Sequence, residues 1–456
     1  MIANHVPGRA GRRARDTEFL GRLFWSFGSF GASIGFRFAA NLVMTRLLTP
    51  EIFGVMVVLN VVRFGFELLT DVGIEQNIVR HPNGLEPRFF NTAWTVQILR
   101  GAWLTALFLA ASRPLATFYG IEPALFAAIA FAPFLNGLHS TAVFGLVKNL
   151  DVKQRTLFEL RAEGLGFLVS VTLALIHPSA WALVIGVLIS IAARSVMSYR
   201  LPGPGHFLVI DRAYFLEIIR FGRWIMITSI VMFAAMSLDK LVLGRIAPLA
   251  VLGVYGLART IADIPAQLGQ RLTHQLIFPM LAAARSAEDA AAARGIGAAR
   301  LRLALAMAAG IGVGIACADW AVAILYDPRY AAAGWMLSLL LVSSFVGALS
   351  SFNAGILLGS NRPEFESAAN VLRLALLVPG LWFGHLWFGM PGVIGAVLVG
   401  EIGRYVVIWI GQRAIGLSFA RQDLLATLLL AGVAGALILL RLSLDLSTPL
   451  RLMNLG

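Results

Sequence analysis

Apolar positions in this chain do not alternate as in a strand or fall in one stripe as on a surface helix. They come in unbroken runs, most of about twenty residues, separated by short polar turns. A bilayer core about 30 Å thick needs roughly 20 apolar residues to cross as a helix, because backbone amides cannot face lipid unsatisfied. The runs predict membrane-spanning helices over residues 24–48, 52–74, 91–111, 122–146, 157–177, 181–199, 217–244, 250–275, 303–325, 333–358, 367–388, 392–411 and 423–442. The last run, DLLATLLLAGVAGALILLRL, offers water no polar face, which argues against a large soluble helical core. No segment between the runs is large enough to fold alone. The expected fold is all-α, polytopic and transmembrane.

Composition agrees: 58% apolar, 13% charged, mean hydropathy +0.80. The net charge of +13 has a topological explanation. Short cytoplasmic connections of membrane proteins carry an excess of Lys and Arg. With the amino terminus inside, Arg9, Arg12, Arg13, Arg15, Arg22, Arg80, Arg88, Lys148, Lys153, Arg155, Arg161, Arg200, Arg212, Arg285, Arg294, Arg300, Arg302, Arg362, Arg413 and Arg421 fall on the cytoplasmic side. Only Arg113, Arg245, Arg329 and Arg451 fall outside. The asymmetry predicts a multi-pass membrane protein with a cytoplasmic amino terminus. Such scattered charge meets anionic lipid; it forms no nucleic-acid face, so no nucleic-acid partner is expected.

Residues 1–23 read as a basic cytoplasmic arm followed by an uncleaved first helix. Cys317 is the lone cysteine, which rules out an internal disulfide or a cysteine metal site. His5, His81, His139, His177, His206, His274 and His385 lack paired ligand spacing, so neither a metal nor another cofactor is expected.

An internal repeat organises the chain. The first run ends in Arg46-LLT-Pro50-EIF-Gly54 and leads straight into the second. The seventh ends in Arg245-IA-Pro248-LAVL-Gly253 and leads straight into the eighth. Each motif sits at the tight outer turn opening a six-helix set, which predicts two parallel halves, 24–199 and 213–411, joined by the linker 200–212. Helix 423–442 is additional. An Ala-rich segment at 276–302 reads as a surface helix between spans. Outward connections are all short, leaving no large loop to hold the catalytic groups of a membrane glycan polymerase.

Ionisable residues inside lipid cost about 2.5–3.5 kcal/mol at the helix centre and generally face a partner or a hydrated cavity. Arg37, Arg63, Arg100 and Arg259 fall near mid-depth of their runs. Arginine stays charged and its planar fork matches phosphate oxygens, so a cavity lined by several should take an anionic, phosphate-bearing ligand. Internal pairing is the alternative for two of them, since Glu67 follows Arg63 and Asp263 follows Arg259 by one turn. Arg37 and Arg100 have no acid within four residues and are the stronger ligand candidates. Glu67, Asp71, Asp239 and Asp263 are candidates for a coupling proton or Na⁺. Asp319 and Glu401 also lie within spans; Asp319, near an outer end, and Asp239, beside Lys240, could be satisfied locally.

Several segments together resemble the Wzx-type oligosaccharide flippases of the multidrug, oligosaccharidyl-lipid and polysaccharide exporter superfamily. They are TRLLTPEIFGVMVVLN at 45–60, DVGIEQNIVR at 71–80, NTAW at 91–94, LDKLVLGRIAPLAVLGVYGLAR at 238–259, IFPML at 277–281, YDPRYAAAGWML at 326–337 and LLGSNRPEF at 357–365. The resemblance implies two bundles of six helices, with helix 423–442 as a departure, around a cationic cavity that opens alternately to either face. It further implies outward movement of an undecaprenyl-pyrophosphate-linked oligosaccharide, with no covalent chemistry. The lipid bilayer is a partner, and a polysaccharide polymerase and export machinery are further implied partners. A peptidoglycan-precursor flippase and a small-molecule antiporter of the same superfamily stay open.

Overall fold

The computed structural model describes residues 28–29, 31–149, 151–273, 290–360 and 362–446. The basic arm 1–23, His5, His274 and the segment 276–289, with its IFPML motif, lie outside the described residues. The described chain is an all-α polytopic membrane protein. Its helices are α1 (31–47), α2 (Pro50–Leu69), α3 (Ile74–Arg80), α4 (Pro87–Tyr119), α5 (Pro123–Ile129), α6 (Ala132–Gly137), α7 (Ala142–Lys148), α8 (Val152–Ile176), α9 (Ala180–Ser198), α10 (Arg212–Ile246), α11 (Leu249–Leu272), α12 (Ala290–Leu325), α13 (Ala333–Gly359), α14 (Glu364–Ala414) and α15 (Ala420–Ser443).

Among the described residues, nine helices are long and apolar enough to cross a membrane, or ten if a bent pair within 123–148 counts as one span. The difference from the thirteen runs has local causes. The run 122–146 is broken: Pro133 opens α6, and α7 departs from α5–α6 at 63°. The second run stops at Leu69, and its last residue, Ile74, starts the separate helix α3. α8 carries Lys153, Arg155, Glu159, Arg161 and Glu163 in its first half, leaving too short an uncharged stretch. Runs 367–388 and 392–411 form two helices within α14, which count together as one span there: the chain turns back at Gly389, whose φ of 60° and ψ of −138° suit glycine because it has no Cβ to clash, and Gly384 packs on Gly392 and Gly380 on Ala396.

The chain forms two compact units. Unit 1 comprises residues 1–48 and 62–229; unit 2 comprises 49–61 and 230–456. Both α2 and α10 therefore contribute to each unit. In unit 1, α8 packs on α9, and α4 packs on α5 and α6, with α6 also touching α9. The linker after α9 is fastened to the start of α4 by that helix's polar residues. Asn91 donates to the Gly205 carbonyl (2.8 Å) and accepts from the Phe207 amide (2.9 Å). Thr95 and Thr92 accept from the amides of Val209 and Asp211, each at 3.1 Å. His206 is hydrogen-bonded to Ser140 at 2.7 Å and sits among Phe90, Trp94 and Tyr199. Burial there lowers its pKa, favouring the neutral ring.

In unit 2, α13 is buried along nearly its whole length, against α11, α12 and α14. Lipid tails are as apolar as leucine, so close packing and interhelical polar contacts decide which helices associate. α15 docks on α12 in that way. At one end Arg300 pairs with Asp423; at the other Arg441 grips Asp319 with two contacts, 2.8 and 2.7 Å. The order of the contacts makes α12 and α15 parallel. Arg300 was expected among the loop cations; it is fully buried, because α12 extends back through residue 290.

Candidate functional site

Unit 1 holds a cavity of about 330 Å³ enclosed by residues of α2, α3, α4, α6, α7 and α9 and the turns between them. Its lining includes residues where the chain leaves regular helix, Asp71 after α2 and His139 at the α6–α7 break. Gln97 fixes that break by donating to the carbonyls of Asn136 and Gly137 (3.2 Å each) and His139 (2.8 Å). Asn136 in turn donates to Glu67 at 3.0 Å, and Arg63 pairs with the same Glu67 oxygen at 2.9 Å. Asp71 accepts from the Gly73 amide at 3.0 Å and lines the cavity, as do Glu67 and Glu75.

Arg100 enters from α4. It donates to the Glu67 backbone carbonyl and, at 3.1 Å, to the Thr70 hydroxyl. These are neutral acceptors, so its charge is positioned without direct carboxylate contact, although Glu67 and Asp71 lie within electrostatic reach. The structure thus brings Arg63, Glu67, Asp71 and Arg100 together in one unit. Arg37 stands apart from that cavity: its guanidinium pairs with Glu163 of α8 at 2.8 Å, and its side chain is 67% exposed.

Arg259 lies in unit 2 between two acids, Asp263 at 3.0 Å and Asp239 at 3.8 Å. Tyr255 donates to the same Asp239 at 2.5 Å. Further charges lie nearby in that unit: Arg373 pairs with Glu401 at 2.8 Å, and Arg404 reaches Glu401 and Glu366. Arg259 thus forms the one-turn pair expected of it, together with a second acid that spacing along the helix could not reveal. Exchanging Arg259 and Asp263 by the double change Arg259→Asp, Asp263→Arg is expected to leave the protein as unstable in detergent as the worse single variant. The new carboxylate would face Asp239, and like charges in a buried site repel. Thermal denaturation returning to wild type in the double variant would overturn the three-residue arrangement.

Arg194 of α9, which also lines the unit 1 cavity, went unnoticed in sequence. It falls four residues from the end of α9, where a basic residue reads as a helix-end charge. Arg373, Arg404 and Arg441 were likewise passed over. The available signal was an arginine within an apolar run, the same one that marked Arg37 and Arg100.

Fold and site together define a polytopic helical membrane protein with ionisable groups gathered inside its helical units. Among solved structures, the fold is similar to lipid II flippase MurJ in an inward closed conformation, with TM-score 0.70, 10% identity, and 92% of this chain and 93% of that one covered. It is also similar to an inward-facing multidrug transporter of the MATE family, with TM-score 0.59, 15% identity and coverage of 83% and 94%. The chain belongs to the polysaccharide biosynthesis protein family, which it matches over residues 43–414.

Two curated relatives are informative. The succinoglycan biosynthesis transport protein ExoT of Rhizobium meliloti is 25% identical over 260 residues, covering 56% of this chain and 52% of that protein. The match thus spans about half the length of that relative. The lipopolysaccharide biosynthesis protein WzxC of Escherichia coli K12 is 22% identical over 412 residues, covering 88% and 82%.

Proposed function

We propose that this protein is a flippase that moves undecaprenyl-pyrophosphate-linked oligosaccharide repeat units from the cytoplasmic to the outer leaflet of a bacterial inner membrane, by alternating access, for surface polysaccharide synthesis. The observation that carries the reading within this chain is Arg100, a cation held inside a unit by neutral acceptors and facing a polar cavity. Buried cations persist where a partner or ligand repays their desolvation, and a pyrophosphate is such a ligand. Arg37 is the second phosphate contact in this reading, since its exposed head meets one carboxylate. Arg63 and Arg259 are neutralised by Glu67 and by Asp239 with Asp263, and act as positioning residues.

Of the acids, Asp71 is the remaining coupling candidate: it lines the cavity and forms no ion pair among the described residues. The amino terminus is cytoplasmic in this reading, as the loop charges favour. The protein carries out no covalent step; polymerase and export machinery act on what it delivers. A peptidoglycan-precursor flippase is the second reading, favoured by the fold match to MurJ.

The test is deletion followed by analysis of surface polysaccharide and membrane lipids. Lost polymer with complete lipid-linked repeat units accumulating on the cytoplasmic leaflet is expected, and Arg37→Ala or Arg100→Ala should reproduce it at wild-type protein levels. Accumulated peptidoglycan precursor would select the second reading, and unchanged pools in a strain without a redundant transporter would overturn both.

A further inference from the structure

We infer that the first turns of α10 carry a site for the phosphate of an anionic phospholipid of the surrounding bilayer, held between Arg220 and Arg223 at headgroup level. The site lies wholly in unit 1 and uses neither the residues of the cavity nor the arginines assigned to the transported lipid.

Packing sets which side of the helix is free. Ile218 is fully buried in a core with Ile74, Ile78 and Phe89. On the same side, a Cβ on Gly222 would stand 2.7 Å from Val72, and one on Gly73 would meet the end of Ile225. With 3.6 residues per turn, the opposite side is the stripe Leu216, Arg220, Arg223 and Ile227, and all four are exposed. Trp224 flanks the stripe and is 62% exposed.

Depth follows from length. α10 has 35 residues, with Arg245 in its last turn, whereas roughly 20 suffice to cross the hydrocarbon core. Arg223 and Arg220 precede Arg245 by about 33 and 38 Å at 1.5 Å per residue. The core is about 30 Å thick, and the headgroup layer adds roughly 5–7 Å on each side. A usual tilt of about 20° therefore brings both guanidinium groups into the layer that holds the phosphates. Tryptophan favours that same layer.

Charge selects the ligand. Arg220 and Arg223 are one turn apart, where like charges repel, and among the described residues neither pairs with a carboxylate. Nearby acids are engaged elsewhere: Glu217 faces Arg80 at 3.9 Å and His81 at 3.5 Å, and Asp211 accepts from the Ala213 amide at 2.9 Å. The Arg223 guanidinium lies 5.5 Å from the centre of the Trp224 ring. A phosphate between the two arginines removes their repulsion and takes charge-assisted hydrogen bonds from both. A zwitterionic headgroup brings a cation of its own to a pair already in excess of positive charge. A soluble phosphate makes no use of Leu216, Trp224 and Ile227, against which acyl chains can lie. An anionic phospholipid uses both parts of the stripe.

The test places the full chain in phosphatidylcholine nanodiscs and isolates Trp224 emission as the difference between each protein and its Trp224→Phe counterpart. Phosphatidylglycerol brominated on its acyl chains is expected to quench that emission half-maximally at a mole fraction at least fivefold below that needed with brominated phosphatidylcholine. Arg220→Gln with Arg223→Gln should bring the two lipids within twofold of each other. Unchanged quenching by brominated phosphatidylcholine in that variant shows that α10 is still seated in lipid. Arg88→Gln with Arg113→Gln removes the same charge from exposed positions outside α10 and should keep the preference. Equal quenching by the two lipids in wild type, a preference that survives loss of Arg220 and Arg223, or one lost equally in the control variant overturns the site. Displacement of phosphatidylglycerol by stoichiometric undecaprenyl pyrophosphate also overturns it, and gives the stripe to the transported lipid.

Discussion

Gly54→Val is expected to destabilise the protein by more than the about 1–3 kcal/mol of ordinary overpacking. Glycine at this position lets α2 and α11 cross backbone to backbone within unit 2. A Cβ on Gly54 would stand 1.9 Å from the Leu249 carbonyl oxygen, and one on Gly253 would stand 2.0 Å from that of Pro50. Each glycine thus meets the residue four before the other, an exchange expected where two copies of one motif pack about a local two-fold axis. A flexible side chain could swing aside; a helical carbonyl cannot move without dragging its helix. Small residues are what allow such approach in a membrane, where packing substitutes for hydrophobic exclusion. Gly310→Ala and Gly432→Ala, whose added Cβ atoms would meet nothing within 4 Å, are the controls and should shift stability by about 0.5 kcal/mol or less. Thermal denaturation in detergent reads the difference. Gly54→Val melting with the controls would refute the close crossing.

That crossing also marks how far the sequence could be read. The shared Arg-to-Gly spacing at 46–54 and 245–253, with a Pro between, marks both turns in the sequence, because a tight turn followed by a close helix contact restricts residue type. What spacing could not supply was that the two glycines touch each other. The helical runs were equally legible, since twenty apolar residues have little choice in lipid. Breaks within runs were less so: Pro133 opens a new helix in the fourth run, whereas Pro379 stays inside α14. The difference depends on whether neighbouring groups take up the freed carbonyls, which is tertiary information.

The ionisable residues divide along the same line. One-turn pairing is local, and both Arg63–Glu67 and Arg259–Asp263 form. Arg37 and Arg100, without local acids, found opposite solutions: Arg37 a carboxylate 126 residues away, Arg100 a carbonyl and a hydroxyl. Arg194 carries no local mark of its place, since the α6 and α7 residues that share the cavity with it lie about 50–60 positions earlier in the chain.

Arg300→Met is expected to cost about 3–5 kcal/mol, the range for removing one partner of a buried ion pair. Arg300 is fully buried. It pairs with Asp423, donates to Asn353 at 2.7 Å and to Gln422 at 3.2 Å, and lies 5.0 Å from the centre of the Phe419 ring. Asp423 receives further hydrogen bonds from Asn353 at 3.0 Å and Tyr405 at 2.8 Å, so removing the cation leaves a buried carboxylate with neutral donors only. Combining Arg300→Met with Asp423→Leu removes both charges and should recover at least half of the loss, because desolvation of the orphaned charge dominates the single variant. The outer surface of α15 is leucine-rich, with Leu424, Leu425, Leu428, Leu439 and Leu440 exposed, and leucine against lipid gives that helix no reason to dock. Its attachment therefore rests on this cluster, on packing, and on Arg441 with Asp319 at the other end. Protease digestion in detergent separates the clusters: Arg300→Met should speed cleavage between α14 and α15, and Arg441→Met cleavage after α15. Identical digestion patterns for both variants and wild type would mean that α15 is held by packing alone.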